Sequence, residues 1–308
     1  MGESQWVNQC KFQIDKSDYC KLRKYEFLSE TLKFSKIILL MDISNTIKAA
    51  KRILKRRKSL LMLQGDFVIV GDIHGNMETI RKLFNKPLEG NMKFLFLGDL
   101  IDRGQDSFGV VKTIFEKMVE YPERIFVIRG NHESRLGEKS SANSLYKELS
   151  SNTELYEKII NLFENLPLAA VLNSKYFCVH GGISEDVRSL GDIEKIKLPL
   201  SLDNRKGTAY KAACGLLWSD PSKSVAQYAQ SPRKNGALFG KKPLTEFLQK
   251  NKLSCMIRGH QWSPSGFSKE FDDNSLITLA SSENHNNTPC LASCAILNEV
   301  SEPIRKIL

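Results

Sequence analysis

The chain has 308 residues, and its 41% hydrophobic content excludes an intrinsically disordered protein because it can form a substantial core. Its seven cysteines form an odd set without a C-x-x-C pair, which is typical of reduced thiols and predicts a cytoplasmic or nuclear protein, or one found in both compartments. The net charge is +10, and the most apolar early stretch, 37–41, is far too short to span a membrane.

The positive charge is concentrated near the start of the chain. Residues 1–65 hold 14 basic residues against 6 acidic ones, and six of the basic residues lie in 51–58. This basic cluster could bind nucleic acid, acidic lipid or an acidic partner. A solvated helix face is the simpler interpretation, so we expect no nucleic acid among the partners.

The first 63 residues predict an extension and helices rather than strands. Residues 1–24 are polar and weakly periodic, so we expect a loosely ordered N-terminal extension. From 25 to 63 the pattern is helical, with Ile47, Ala50 and Leu54 on one face. No internal repeat or low-complexity linker follows, which predicts a single domain over 25–308.

The region that follows alternates between predicted strands and helices. Six short apolar runs are typical of buried strands, and they are 67–70, 94–97, 125–128, 176–179, 254–257 and 276–280. Helical periodicity separates the first three runs, around Ile80 and around Ile114, and a third helix is predicted over 154–166. The first three runs therefore predict a β-α-β-α-β unit.

Residues with metal-binding or acid–base side chains, each group containing a glycine, follow five of these runs. The segments are Gly71–Asn76, Gly98–Gly104, Arg129–Glu133, His180–Gly182 and Arg258–His260. Asp72 and Asp99 are 27 residues apart and Asp99 and Asn131 are 32 apart, about one β-α-β crossover each. Because ligands bind outside the carboxyl ends of parallel strands, we expect these loops to lie side by side.

These loops hold the side chains expected of a metal site. Four of the five histidines of the chain lie in them, and they are His74, His132, His180 and His260. Carboxylate, imidazole and amide ligands together suit Mn, Fe or Zn. A carboxylate between two ligand sets, such as Asp99, can bridge two ions ~3.5–4 Å apart, which suits hydrolysis of phosphate esters. Arg103 offers a planar fork that matches phosphate oxygens.

Together the loops closely resemble the three signature motifs of the phosphoprotein phosphatase superfamily, G-D-x-H-G, G-D-x-x-D-R-G and G-N-H-E. The resemblance covers roughly residues 25–300 and continues through 166–167, 180–182, 217–221, Arg233, 239–240 and 258–261. The Leu-Trp-Ser-Asp-Pro block at 217–221 favours the group of type 1, type 2A and calcineurin enzymes. The fold implied is the α/β metallo-dependent phosphatase fold, a central β-sandwich of mixed sheets flanked by helices and built on the β-α-β-α-β metal-binding loops.

The same resemblance implies a function. The chain would be a serine/threonine protein phosphatase that hydrolyses phosphomonoesters of phosphoserine and phosphothreonine proteins, and regulatory subunits would be among its partners. Two divalent or trivalent ions of the Mn, Fe or Zn type would be bound, with Mn effective in vitro. A hydroxide that bridges the two ions would attack phosphorus directly.

The resemblance also implies a role for each site residue by position. The first ion would be held by Asp72, His74 and Asp99, and the second by Asp99, Asn131, His180 and His260. Arg103, Arg233 and Asn131 would orient the phosphate. His132 would protonate the leaving alkoxide, and Asp102 would pair with His132 and keep it protonated.

Two segments depart from the pattern of the type 1 and 2A enzymes. Residues 281–289 retain only the serine and asparagine of the usual Ser-Ala-Pro-Asn-Tyr, and His285 stands where the family has a tyrosine beside the substrate pocket. Segment 134–140 replaces the usual hydrophobic and aromatic stretch. We therefore expect a divergent relative with altered substrate preference and weak inhibition by microcystin-type toxins.

Two other functions stay open at this point. The first is a nucleotide or nucleic-acid phosphoesterase of the same fold, which the basic cluster supports weakly and the eukaryotic-type blocks such as 217–221 argue against. A catalytically weak scaffold is the second alternative, and the presence of all six ligand positions argues against it.

Overall fold

The computed structural model describes residues 43–85, 90–135, 144–203, 205–271, 273–285, 288–298 and 302–308. The chain divides into two units, Met1–Asn45 and Thr46–Leu308, and the described strands all belong to the second. The predicted boundary between residues 24 and 25 lies outside the described residues, so the division into an extension and one domain stays a prediction. Among the described residues, every helix is too short or too polar to span a lipid bilayer.

The described residues form eight helices and sixteen strands. The helices are α1 (43–54), α2 (Met77–Leu83), α3 (Ser107–Glu120), α4 (Leu145–Glu148), α5 (Thr153–Phe163), α6 (Leu190–Glu194), α7 (Thr208–Trp218) and α8 (Lys241–Lys250). The strands are β1 (Leu60–Leu63), β2 (Phe67–Val70), β3 (Lys93–Phe96), β4 (Ile125–Val127), β5 (Ala169–Leu172), β6 (Tyr176–Val179), β7 (Asp220–Pro221), β8 (Tyr228–Gln230), β9 (Ala237–Phe239), β10 (Cys255–Arg258), β11 (Phe267–Ser268), β12 (Leu276–Leu279), β13 (Asn284–His285), β14 (Thr288–Pro289), β15 (Ser293–Leu297) and β16 (Ile304–Ile307).

Two mixed sheets pack face to face as a β-sandwich. Their strand orders are β1-β5-β6-β10-β12-β11 and β16-β15-β2-β3-β4. Apolar residues of both sheets, among them Ile69, Leu95 and Cys178, form one buried cluster between the sheets. Because side chains alternate along a strand, Phe177 points the other way and joins a second cluster with α7 and α8. This arrangement confirms the predicted α/β fold of mixed sheets flanked by helices.

The predicted β-α-β-α-β unit is confirmed and positions the site. Strands β2, β3 and β4 are parallel neighbours, with Val70 opposite Phe96 and Phe96 opposite Val127, so their carboxyl ends are level. Asn76 accepts hydrogen bonds from the first turn of α2, and Asp106 accepts one from the first turn of α3. These caps stabilise the helix starts directly after the first two loops.

The prediction of helix up to residue 63 is wrong at its end. Helix α1 ends at residue 54, and Leu60–Leu63 form β1, which pairs with β5 in parallel. Arg57 fixes the turn between them, since it donates to the carbonyl oxygen of Pro122 at 2.6 Å and lies over the ring of Phe126 at 4.7 Å. Leu and Met favour helices locally, so pairing with a strand far along the chain decides the structure here.

Candidate metal centre

The loops after β2, β3, β4, β6 and β10 meet at one edge of the sandwich. They bring together all six of the side chains predicted as metal ligands, and each is at most 8% exposed: Asp72, His74, Asp99, Asn131, His180 and His260. The expectation that strand ends far apart in sequence lie side by side agrees with this geometry.

Asp99 lies at the middle of the site. Its Oδ2 is 3.6 Å from His74 Nε2 and 3.9 Å from His132 Nε2, while its Oδ1 is 3.3 Å from His180 Nε2. Ligand atoms within 4.8 Å of one another form two buried groups in the described part of the chain, His74 with Asp99 and His132, and Asp99 with His180 and His260. Asp99 belongs to both groups, which is the position expected of a bridging carboxylate.

The hydrogen-bond chemistry around His180 fits a cation. Its Nδ1 lies 3.0 Å from the carbonyl oxygen of Leu97, which can only accept, so Nδ1 carries the proton and Nε2 is an acceptor. That Nε2 lies 2.9 Å from Asn131 Oδ1, 3.2 Å from His260 Nδ1 and 3.3 Å from Asp99 Oδ1. Three acceptor atoms, His180 Nε2 and the side-chain oxygens of Asn131 and Asp99, thus meet at hydrogen-bond distances, and a positive charge between them satisfies all three.

The protonation states favour the same conclusion. Burial lowers the pKa of His74 and of His260 well below the ordinary value, so both imidazoles are neutral at neutral pH and each offers a lone pair to a cation. Burial also lowers the pKa of His180, but the carboxylates of Asp99, Asp72 and Glu133 together outweigh it and the net change is upward. Burial and the charge of Asp99 raise the pKa of Asp72 to about 6. A cation and a proton on His180 therefore compete for the same negative charge.

Several site residues adopt a backbone conformation that is rare without glycine. Five have φ between 47° and 69°, and they are His74, Asp99, Asp102, Arg103 and His260. Each such residue costs about 1–3 kcal/mol, and the conformation persists only where its surroundings fix it. The carboxylate of Glu133 does so at the centre, because it accepts the backbone N–H groups of Asp99, Leu100 and Gly130 at 2.8 Å each.

A histidine–carboxylate pair borders the two ligand groups. His132 Nδ1 is 2.7 Å from Asp102 Oδ2, as the predicted pairing of these residues requires. Burial lowers the pKa of His132, but the carboxylates of Asp99 and Asp102 outweigh it and the net change is upward. Arg103 Nη2 lies 3.2 Å from His132 Nε2, which accepts the guanidinium N–H while the ring is neutral, so a guanidinium group and a nitrogen that can carry a proton face the same space. This arrangement can bind an anion and protonate it.

Arg233 reaches the site through a carboxylate for which the sequence predicted no role. Arg233 Nε donates to Asp220 Oδ2 at 2.6 Å, and Asp220 Oδ1 accepts from Arg258 Nη2 at 2.9 Å. Arg258 is fully buried and also donates to the carbonyl oxygen of Gly181. A charged residue that ends an apolar strand needs a buried partner, and this signal could have identified the pair. Asp220 thus orients Arg233 beside His260, whose Nε2 is 4.0 Å from Asp220 Oδ1.

Replacing Arg258 by methionine is expected to lower the free energy of unfolding by about 3–5 kcal/mol, because Asp220 would lose its fully buried partner and keep only Arg233, and the carbonyl oxygen of Gly181 would lose a donor. Urea denaturation followed by circular dichroism measures the change. Arg81→Met is the control, since the Arg81–Glu78 pair is exposed on α2 and should contribute little. Equal stability of the two variants would contradict a structural role for the Arg258–Asp220 pair.

The two segments that depart from the family pattern are only partly described. Ser134 donates to the carbonyl oxygen of Asn131 at 2.7 Å, while 136–143 lies outside the described residues. Ser281 accepts from Gly71 N at 2.9 Å, which ties the second segment to the loop after β2. The structure does not describe the side chain of His285, so the effect of this residue on the substrate pocket stays a prediction.

Comparison with known proteins identifies the family. A model described as calcineurin-like phosphoesterase matches residues 65–264. The chain is 34% identical over 270 residues to the serine/threonine-protein phosphatase 4 catalytic subunit of Kluyveromyces lactis, with 86% of this chain and 84% of the relative covered. It is 32% identical over 292 residues to the serine/threonine-protein phosphatase SIT4 of Candida albicans, with 92% and 83% covered.

A solved structure shows the same fold. It is a protein serine/threonine phosphatase from Saccharomyces cerevisiae with similarity to human phosphatase PP5, and it aligns with a TM-score of 0.74 at 23% identity over 92% of this chain and 89% of that one. The matched family model and the two sequence relatives show that the chain belongs to the calcineurin-like phosphoesterases and, within them, to the serine/threonine-protein phosphatases.

Proposed function

We propose that this chain removes phosphate from phosphoserine and phosphothreonine in proteins, with two metal ions bound on either side of Asp99. The observation that carries the proposal is the place of Asp99 in two buried ligand groups beside the His132–Asp102 pair. The first ion would be held by Asp72, His74 and Asp99, and the second by Asp99, Asn131, His180 and His260. These nitrogen and oxygen donors suit Mn, Fe or Zn.

The residues of the chain would bind and orient the phosphate and move one proton. Arg103, Arg233 and the Asn131 amide would bind the phosphate oxygens, and Asp220 would hold the Arg233 guanidinium in place. His132 Nε2 would donate its proton to the leaving alkoxide of serine or threonine, which is a poor leaving group without it. When bound, the two ions would supply charge that polarises the phosphoryl group and an activated water as nucleophile.

The relatives support the choice of protein substrates. They are serine/threonine-protein phosphatases, and this chain aligns with more than four fifths of the length of each. The basic cluster gives weaker support to nucleotides than its composition suggested, because Arg57 is used to fix the turn before β1. Regulatory subunits are proposed as partners on the same ground of similarity. The five described cysteines are all free thiols, which supports a cytoplasmic or nuclear location.

With added Mn²⁺, the purified protein is expected to hydrolyse both para-nitrophenyl phosphate and a phosphothreonine peptide, and a chelator should abolish both activities because the buried donors need a cation. Release of inorganic phosphate measures the reaction, and a nucleotide substrate run in parallel tests the other phosphoesterase class. A protein that binds metal and remains inactive on the peptide would refute the proposal. Activity on the nucleotide alone would establish the alternative.

A further inference from the structure

The loop after β3 holds Asp102 in a strained conformation. Asp102 and Arg103 both have a φ of 67°, which is rare for two consecutive residues other than glycine. Two hydrogen bonds from residues outside this loop fix Asp102. The N–H group of Asp102 donates to Ser107 Oγ at 3.0 Å, and Asp102 Oδ1 accepts from the N–H group of Leu145 at 3.0 Å. Its other oxygen, Oδ2, is then available for His132.

Glu148 connects the two helices that supply these contacts. Ser107 begins α3 and Leu145 begins α4, while Glu148 is the last residue of α4. Its carboxylate accepts from Ser107 N through Oε1 and from Phe108 N through Oε2, at 2.9 Å each. A carboxylate is favourable there because the first N–H groups of a helix lack partners and carry partial positive charge. The Glu148 side chain therefore ties the end of α4 to the start of α3.

Glu148 is well placed to act on the reaction without taking part in it. The side chain is exposed, whereas Ser107 and Leu145 are fully buried, so its removal leaves the core packing intact. Two routes connect Glu148 with Asp102. The first runs through Ser107, whose N–H donates to Glu148 and whose Oγ accepts from Asp102 N. The second runs along α4 to Leu145, whose N–H donates to Asp102 Oδ1. A shift of α4 would therefore reach Asp102 first.

We propose that Glu148 is a positioning residue for proton transfer, which it supports by holding α4 on α3 so that Asp102 keeps its orientation. Asp102 in turn aims the ring of His132 through the 2.7 Å contact with Nδ1. The inference rests on the proposed function, because it requires His132 to protonate the leaving group. It adds a contact outside the signature motifs that governs the geometry of the acid.

The leaving group separates this role from a general loss of structure. An alkoxide must be protonated as it leaves, whereas para-nitrophenolate is stable without a proton. A misplaced His132 therefore slows hydrolysis of phosphothreonine and spares para-nitrophenyl phosphate. Damage to the fold or to metal binding would slow both substrates equally.

The test compares Glu148→Ala and Glu148→Gln with wild type on both substrates, in the full-length protein with Mn²⁺. For the peptide, kcat of Glu148→Ala is expected to fall about 10-fold with KM unchanged, part of the ~10²–10⁴-fold that a positioned acid supplies. Glu148→Gln keeps one acceptor oxygen, so its kcat on the peptide should lie between those of wild type and Glu148→Ala. Glu116→Ala is the control, since Glu116 lies on the helix α3 and pairs only with Lys112 among the contacts described, at 3.0 Å.

Each outcome decides the inference. A selective loss on the peptide, partly rescued by glutamine, would establish it, and if Glu148→Ala fails to fold the glutamine variant carries the same comparison. Equal losses on both substrates, or wild-type rates in both variants, would overturn it while the proposed function stands. A wild type that is inactive on both substrates would overturn the proposed function and this inference together.

Discussion

Asp99→Asn is expected to reduce kcat on a phosphothreonine peptide by at least about 10³-fold, because loss of partners outside the ligand shell alone costs about 10–100-fold at metal sites. The substitution removes the negative charge that both ligand groups share and the acceptor oxygen that faces one of them. Asparagine tolerates the φ of 52° found at this position, so the fold should be retained. Activity and bound metal per chain, measured on the same sample, check the prediction.

Asp192→Asn is the matched control for this change. Asp192 is an acidic residue of α6 whose carboxylate accepts from Ser189 Oγ at 2.9 Å, and it lies outside the five loops. Its replacement should leave both activity and metal content at wild-type levels. An Asp99→Asn protein with two bound ions and normal turnover would show that Asp99 does not bridge them.

His132→Asn is expected to lower kcat on the phosphothreonine peptide by about 10²–10⁴-fold, the range that a positioned general acid supplies. The loss on para-nitrophenyl phosphate should be much smaller, because that leaving group needs no proton. Steady-state rates on the two substrates measure the difference. Equal losses on both would contradict the role of His132 as an acid.

Metal content decides between two roles for His132. Its Nε2 lies 3.9 Å from Asp99 Oδ2 and is close enough to His74 to form a ligand group with it. If His132 is the acid, His132→Asn retains the metal content of wild type. If it is a ligand, the variant loses an ion and both substrates are affected. The guanidinium of Arg103 lies 3.2 Å from His132 Nε2 and favours the acid, since a metal ion bound there would meet a like charge.

The sequence predicted the strand ends that carry the site, and the reason is local. Runs such as Phe67–Val70 and Tyr176–Val179 are buried except for the half-buried Val68, so their apolar composition identifies them, and the predicted bounds coincide with β2 and β6. The ligand types follow those strands directly. The pairing of His132 with Asp102 was predicted from the resemblance alone. The structure places His132 Nδ1 and Asp102 Oδ2 2.7 Å apart.

The features that the sequence did not predict depend on contacts between distant segments. Strand β1 has the local composition of a helix and is a strand because Leu60–Leu63 lie beside Ala169–Leu172. Glu148 has no motif around it, and its carboxylate acquires a role only because α4 packs on the start of α3. Arg258 was part of a recognised block, but its partner Asp220 is 38 residues away in the chain. Such pairings are set by tertiary packing.

The positive φ angles in the candidate metal centre also bear on which residue types suit these positions. A glycine or asparagine at His74, Arg103 or His260 would relieve conformational strain, since these residue types adopt positive φ at lower free energy. A scaffold that only binds partners would gain stability from such replacements and lose nothing. A design for stability alone would therefore place glycine or asparagine at these positions, and histidine or arginine in such conformations is expected where a site requires the side chain.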